Sequence, residues 1–556
     1  MMMKNLSAAL LLLAGTALSA TAHAQAANNP APISPERLSQ DTKTLASDAF
    51  QGRAPGTAGE KITIDWLVGQ LKAIGLAPAG PKGSWTQQVP LVKTQVKSGT
   101  MQASLNGAVT PLAQGREIYV STVRPTDQVK IDNAPMVFVG YGVTAPERGW
   151  DDFKGMDLKG KVAVFLVNDP DFEAPADADA TGKFGGRRMT YYGRWTYKYE
   201  EAARRGAIAA LIVHDTPGAG YGWETVAAPA GENYDIVRAD PTSRVLLQGW
   251  LEGAAAERLF ASVGQDLKAL RAKARQKDFR PVPLAGVTFS ADLAIDQTRV
   301  MSHNVLAKIP GTKRPDEAIL YGTHWDAYGI GAPAADGSTV RAGANDDALG
   351  VAGLLEIARA FKAGPAPERT VAFGFWTAEE RGLLGSEAYA VNPVIPASKT
   401  VANITLDILN TGGPARDVLL VGNGQNELED GLARAAAAQG RTVTPEALPE
   451  RGLFYRADHL SLARRGVPTL LFMAISGAPD LVEGGRAAGE KWLKDYMACY
   501  HQTCDRWTPE LDFRGAADDV SLAYTIGRDL AQSNRWPEWK PGSEFGPIRA
   551  ESLGKK

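Results

Sequence analysis

The sequence predicts an α/β protein: a mixed, mostly parallel sheet with helices on both faces, joined by a β-rich insert. Three observations predict it. From residue 294 onward, short apolar runs of buried-strand type at 318–321, 370–375, 404–408, 418–421 and 469–473 alternate with helical stretches at 346–362, near Gly382, at 428–438 and at 520–531. That alternation is the pattern of a sheet covered on both faces. Between 134 and 213 the character changes to strand-like runs at 135–141, 161–167 and 207–213, with one helical stretch at 197–205. Before both, Leu38, Leu45, Ile64, Leu67 and Leu71 recur at near-helical spacing on either side of Gly52-Arg53-Ala54-Pro55-Gly56-Thr57, which predicts two helices about a turn.

The connections follow from composition. Residues 169–188, rich in Asp, Ala and Gly, and the Gly-rich stretch 218–231 are expected to be mobile surface loops. No internal repeat is evident. In an open α/β sheet, ligands bind beyond the carboxyl ends of the strands, so chemistry is sought there.

The bulk numbers narrow the function. A chain of 556 residues that is 44% hydrophobic has room for two or three domains. Its 60 Lys and Arg nearly balance 62 Asp and Glu, so nothing in its charge calls for nucleic acid or another polyanion. Residues 1–24 look like an export signal: Lys4 supplies the positive start, residues 10–14 lie in a short apolar run, and Ala22-His23-Ala24 resembles a cleavage site before Gln25. The expectation is a periplasmic or secreted protein with no stable membrane association. Cys499 and Cys504 are then candidates for a disulfide, with inert thiols or metal-ligating thiolates as the other readings.

Six histidines limit the search for ligands, and His23 falls in the signal, leaving His214, His303, His324, His459 and His501. His324 follows a predicted strand in His324-Trp325-Asp326, where Asp326 can hold the imidazole; a surface-loop histidine is the plain alternative. In Gly343-Ala344-Asn345-Asp346-Asp347-Ala348-Leu349-Gly350, Asp346 opens a helix either as a cap or as a carboxylate whose two oxygens bridge two cations. Glu379 and Glu380 leave a buried-type strand together; one can bind a metal while the other acts as a general base, or both can form a solvated turn. Asp407 interrupts the apolar run 404–409, where an ionised carboxylate needs a cation or a dense hydrogen-bond shell. His501 sits in a late polar loop with Asp505 as a candidate orienting partner. His and carboxylate ligands together suit a zinc pair better than one structural zinc.

In this order these motifs resemble peptidase family M28, the zinc aminopeptidases and their relatives. The resemblance extends to Leu45-Ala46-Ser47-Asp48 and the Gly52–Thr57 turn. The segments Phe138-Val139-Gly140-Tyr141-Gly142-Val143 and Leu158-Lys159-Gly160-Lys161-Val162-Ala163 resemble a protease-associated domain. It implies a zinc-peptidase fold with residues 25–130 and 294–540 in the peptidase domain, 131–293 as the insert and 541–556 as a tail. It also implies two Zn2+ per chain: one on His324 and Asp407, one on Glu380 and His501, with Asp346 bridging, Glu379 as general base and Asp326 as partner of His324. Tyr455, near Asp458 and His459, is the candidate donor to the substrate carbonyl; Asp458 and His459 themselves are expected to form a structural hydrogen-bonded pair. Leu349 and Ala457 depart from the family pattern, at positions that are not ligands. The implied activity is removal of amino-terminal residues from peptides. Carboxypeptidase or dipeptidase action, and a non-catalytic ectodomain like the transferrin receptors, are the alternatives, and oligomeric state is left open.

Overall fold

The computed structural model describes residues 33–554, so the expected export signal and the expected start at Gln25 lie outside the described residues. The chain opens with two helices, α1 (Pro35–Leu45) and α2 (Ala58–Ile74), on either side of the Gly52–Thr57 turn. Ser34 accepts from Arg37 N at the start of α1 and Gly75, at φ 85°, ends α2 by donating to Leu71 and Lys72. A long strand β1 (Thr86–Leu105) leads into β2 (Ile118–Ser121), β3 (Gln128–Phe138) and β4 (Val162–Leu166), then α3 (Trp195–Arg204), β5 (Ala209–Val213) and β6 (Leu247–Leu251). Strand β7 (Val282–Ile309) returns the chain to β8 (Arg314–His324), α4 (Leu349–Ala363), β9 (Arg369–Trp376) and β10 (Thr400–Leu406). Helix α5 (Leu428–Ala438), β11 (Thr469–Phe472), α6 (Gly485–Cys499) and α7 (Arg514–Ala531) complete the main elements.

The principal path of the sheet runs β11-β10-β8-β9-β7-β3-β4-β5-β6-β2. Strands β11, β10, β8 and β9 are parallel neighbours, as are β3, β4, β5 and β6, whereas β7 is antiparallel to β9 and β3. The sheet is thus mixed and mostly parallel. Strand β7 serves both halves: its residues Val305–Ile309 pair with β9, and its earlier residues pair with β3. Along most of its length it is also zipped to β1, from Val287↔Leu105 to Val305↔Thr86.

Each half has its own core. In the first, Leu354, Leu355, Ile357 and Phe361 of α4 pack with Phe373 and Phe375 of β9, Ile404 of β10 and Val520 of α7. In the second, Phe138, Val164, Leu211, Leu251 and Phe260 pack together. Parallel strands buried on both faces are nearly continuous apolar runs, which is why these strands stand out in the sequence.

Several expectations need correction. The second core draws in Met101, Ile118, Val120 and Val129, which precede the expected boundary at residue 131. The described part of the expected tail, through residue 554, includes a helix, Gly546–Ser552, with Phe545 and Arg549 buried. Residues 169–188 are also anchored: Asp171 accepts from Phe184 N and Gly186 N, Phe184 is buried, and Arg187 pairs with Glu450 at 2.6 Å. Asp169 and Asp171 turn inward and satisfy turn amides, while Glu173, Asp177 and Asp179 stay exposed. The stretch 218–231 contains the short helix Trp223–Ala227. Among the described residues no helix is long and apolar enough to cross a membrane.

Arg53 ties the amino-terminal turn to the strand ends. It is fully buried, and its guanidinium donates to the carbonyls of Trp325 at 2.8 Å, Leu45 at 2.9 Å, Ala342 at 2.6 Å and Gly343 at 2.9 Å. Replacing it with Met strands those four acceptors in an unhydrated interior. Arg53→Met is therefore expected to lower the unfolding free energy by about 3 kcal/mol or more in urea denaturation. A change within about 0.5 kcal/mol, the range of an ordinary surface substitution, would contradict the tie.

Candidate metal centre

Three adjacent parallel strands deliver the central side chains to one edge. His324 is the last residue of β8, Asp407 follows β10 directly, and Glu379 and Glu380 follow β9 after two residues. Ala378 at φ 53° and Ile408 at φ 58° are left-handed non-glycine residues, and they turn the chain sharply beside Glu379 and Asp407. Asp346 comes from the turn Ala344–Ala348 that precedes α4, where the Asp346–Asp347 peptide is cis.

The helix start resolves the two readings of the acidic pair. Asp347 does the capping: its Oδ1 accepts from Gly350 N at 2.9 Å, and its Oδ2 accepts from Thr323 Oγ1 and from His324 N at 3.3 Å. Asp346 is left free to face the strand ends.

His324 Nε2 lies 3.1 Å from Asp346 Oδ1 and 3.9 Å from Asp407 Oδ1. On the other side of Asp346, His501 Nε2 lies 3.1 Å from Asp346 Oδ2 and 3.2 Å from Glu380 Oε2. Two donor groups result, His324-Asp346-Asp407 and Asp346-Glu380-His501, sharing Asp346. Tetrahedral ligands about 2.0–2.1 Å from one zinc ion stand roughly 3.3 Å apart, and these spacings bracket that value. The fit has an independent sign. His324 Nε2, Asp346 Oδ2 and Asp407 Oδ1 are buried without a hydrogen-bond partner, although the surrounding structure is dense with donors. Buried polar atoms left unpaired in this way and aimed at one another suit a cation.

The electrostatics tell the same story. Burial pushes Glu379, Glu380 and Asp407 well above the usual carboxylate range, and neighbouring carboxylates add to it. Burial opposes ionisation of Asp346 too, but His324 and His501 hold it below its ordinary value. Burial alone would lower the His324 imidazole; Glu379, Asp326 and Asp346 together hold it well above its usual value. Negative charge is concentrated here and short of a counter-charge. Arg53, buried beneath the site, is a cation that feels Asp326, Asp505, Asp347 and Asp346.

The supporting contacts differ in detail from expectation. His324 Nδ1 donates to the Asp326 backbone carbonyl at 3.0 Å, while the Asp326 carboxylate stands 3.7 Å from the ring and accepts from Glu379 N at 3.0 Å. Asp326 thus steadies both His324 and Glu379. Asp505 does not touch His501; it accepts from Asn345 N at 3.0 Å and Asp346 N at 3.2 Å. His501 Nδ1 instead meets the Tyr328 hydroxyl at 3.1 Å. Asn345 stitches the bridging turn to the segment after Asp407, donating to Leu409 O at 2.9 Å and accepting from Leu409 N at 3.0 Å.

Tyr455 is not brought to this edge. Its hydroxyl donates to Glu544 Oε1 at 2.6 Å, and its ring is buried with Phe454, Trp539 and Phe545. The apolar neighbours and the Glu544 acceptor outcompete a place in the cleft. Asp458 and His459 form no pair either: both ring nitrogens of His459 lack partners, and burial lowers that imidazole to about 3. Asp458 faces the centre instead, where burial raises it to about 7 and His324 opposes. His303 is held by Glu60 at 2.9 Å and His214 by Tyr221 O at 3.0 Å, away from the centre. Sequence reasoning missed Tyr328, Tyr496 and Tyr500. The phenol of Tyr500 responds to Asp346, Glu380 and Glu379, and the buried Tyr496 hydroxyl, without a partner, responds to Asp505, Asp346 and Asp407. Placement of Tyr500 directly before His501 was the available signal.

Cys499 and Cys504 are joined, with Cα atoms 5.1 Å apart, and the short loop they close carries His501 at φ 62°. Removing the bridge with Cys499→Ser and Cys504→Ser frees this loop. The loop-entropy estimate is about 2 kcal/mol of lost stability. Zinc retention in a chelator competition is expected to fall with it; unchanged retention would show that the bridge does not position His501.

A model of Peptidase family M28 matches residues 304–524. The leupeptin-inactivating enzyme 1 of Streptomyces exfoliatus is 28% identical over 230 residues, which cover 40% of this chain and 48% of that protein. A probable glutamate carboxypeptidase of Arthroderma benhamiae is 33% identical over 142 residues, covering 24% of this chain and 18% of that protein. The matches to these two curated relatives span about half or less of their length. Among solved structures, an aminopeptidase from Aneurinibacillus sp. strain AM-1 superposes with a TM-score of 0.50 at 20% identity, covering 91% of this chain and 96% of that one. At that identity the likeness speaks for the fold.

Proposed function

We propose, from the match of residues 304–524 to a model of Peptidase family M28, that the chain is an exported di-zinc peptidase of that family that removes amino-terminal residues. The observation that carries the reading is the pair of donor groups sharing Asp346, with unpartnered atoms turned toward the shared space. One zinc would sit among His324, Asp346 and Asp407, the other among Asp346, Glu380 and His501. Bound there, the ions supply polarisation of the scissile carbonyl and acidification of the attacking water.

The chain's own residues then manage the proton. Glu379 is 11% exposed at its side chain, 3.9 Å from His324 Nε2, and held at its backbone by Asp326. It accepts a proton from the water whose oxygen attacks the carbonyl carbon. As the C–N bond breaks it returns that proton to the leaving amine nitrogen. Tyr328 and the Asp326 carbonyl each receive a ring N–H, from His501 and His324, so the opposite nitrogens face the ligand space. Export is supported by residues 1–24 and by the Cys499–Cys504 bridge, which belongs in an oxidising compartment. We assign the insert as a protease-associated domain on its separate β-rich core.

Glu379→Gln is expected to keep its zinc by elemental analysis while losing turnover on free-amine peptides by on the order of a hundredfold or more. Wild-type protein is expected to spare amino-blocked peptides. Full turnover by the zinc-loaded variant would remove Glu379 as base, and cleavage of blocked peptides would remove the amino-terminal assignment.

A further inference from the structure

Arg381 directly follows Glu380, and its side chain is 22% exposed. Its guanidinium carbon lies over two rings, 5.0 Å from the centroid of Tyr328 and 5.1 Å from that of Tyr234. Glu232 Oε1 is 3.9 Å from the guanidinium, beyond hydrogen-bond reach, and the other oxygen of Glu232 is taken by Lys93 at 2.5 Å. Two aromatic rings therefore hold this cation more than any carboxylate does.

The rings belong to different parts of the chain. Tyr328 lies just beyond β8, whereas Tyr234 is the middle residue of a strand of the insert, Glu232–Ile236, which pairs antiparallel with β1 from Glu232↔Gln95 to Ile236↔Leu91. Ile236 packs with Ala378 and Leu384, so this strand rests on the same turn that presents Glu379 and Glu380. The strand is also fixed from within, since Tyr234 N donates to Asn233 Oδ1 at 2.9 Å and Ile236 N to Asp235 Oδ1 at 2.8 Å.

Tyr328 is the link to the metal centre. Its ring centroid is 4.7 Å from that of His501, and its hydroxyl receives the Nδ1 proton of His501 at 3.1 Å. The two histidines of the centre are held differently. The His324 side chain is 1% exposed and donates to the Asp326 carbonyl within its own strand end. The His501 side chain is 29% exposed, stands on a left-handed residue of the disulfide loop, and has Tyr328 behind its ring. The partner behind a ligating imidazole fixes which nitrogen meets the metal, so the groups that hold Tyr328 also hold the ligand.

We propose that Arg381 is a positioning residue, and that Tyr234, Arg381 and Tyr328 form a stack through which the insert aims His501 at the metal position among Asp346, Glu380 and His501. The inference rests on the di-zinc reading and gives the insert a task in it. It makes the two metal positions unequal. The position among His324, Asp346 and Asp407 has no part in the stack and keeps its ion when the stack is broken.

The test measures zinc content, zinc retention against a chelator and kcat for wild type, Arg381→Ala, Tyr234→Leu and Tyr234→Phe. Wild type is expected to hold two ions. Arg381→Ala and Tyr234→Leu are each expected to weaken one of the two by about ten- to a hundredfold, the scale for losing the partner behind a ligating histidine, and to leave the other unchanged. Added zinc is expected to restore kcat in both, and Tyr234→Phe, which keeps the ring, to retain both ions. Wild-type retention in Arg381→Ala, or equal weakening of both ions, would overturn the stack while leaving the peptidase intact. Loss in Arg381→Ala with wild-type retention in Tyr234→Leu, or equal losses in Tyr234→Leu and Tyr234→Phe, would overturn the insert's part in it. If wild type binds fewer than two ions, the di-zinc reading fails, and crystal structures of metal-free wild type and Arg381→Ala decide the stack. A Tyr328 ring displaced from His501 in the variant supports it, and an unchanged contact overturns it.

Discussion

Carboxylates cannot be gathered in an interior without something to neutralise them. Asp346, Asp407, Glu379 and Glu380 converge on one sheet edge, and all but Glu379 are nearly inaccessible. Burial disfavours their charged forms, and each makes its neighbours harder to ionise. Arg53, lying beneath them, spends its hydrogen bonds on four backbone carbonyls rather than on carboxylates. The rest of the architecture can be understood as the scaffold that keeps this arrangement from collapsing or swelling with water.

The scaffold works mainly through the backbone. Parallel strands β8, β9 and β10 end in register, so residues just beyond them share one edge. Asp347 fastens α4 to the end of β8, Asn345 fastens the bridging turn to the segment after Asp407, and Asp505 holds the amides of Asn345 and Asp346. Asp347, Asn345 and Asp505 thus have positioning tasks, which separates them from His324 Nε2, Asp346 Oδ2 and Asp407 Oδ1, left unpartnered. The disulfide loop supplies the last side chain, His501, from a segment the sheet does not reach.

The sequence makes the sheet edge legible because its strands are buried on both faces and their apolar runs are nearly unbroken, so His324, Asp407 and the glutamate pair mark visible endings. The β1–β7 ribbon is not legible in the same way. Its residues alternate between buried and exposed, as in Val89 and Leu91 beside exposed neighbours, and its pairing partners lie some two hundred residues apart. Helix α6 escapes for a related reason: Gly489 is its one buried residue, so no apolar stripe announces it. At the site, residue types are legible and partners are not. Spacing suggests Asp326 for His324 and Asp505 for His501, while the fold assigns the Asp326 carboxylate to Glu379 N and Asp505 to the Asp346 amide. Tyr455 is misplaced because burial among Phe454, Trp539 and Phe545 depends on a carboxyl-terminal segment that carries no local signal.

The most direct measurement is anomalous diffraction from crystals of the zinc-loaded protein at the zinc absorption edge. The account requires two peaks roughly 3.5 to 4 Å apart. One should lie among His324, Asp346 and Asp407 and the other among Asp346, Glu380 and His501, with the Asp346 carboxylate between them. A single peak, or peaks that leave Asp346 out of contact with either ion, would contradict it.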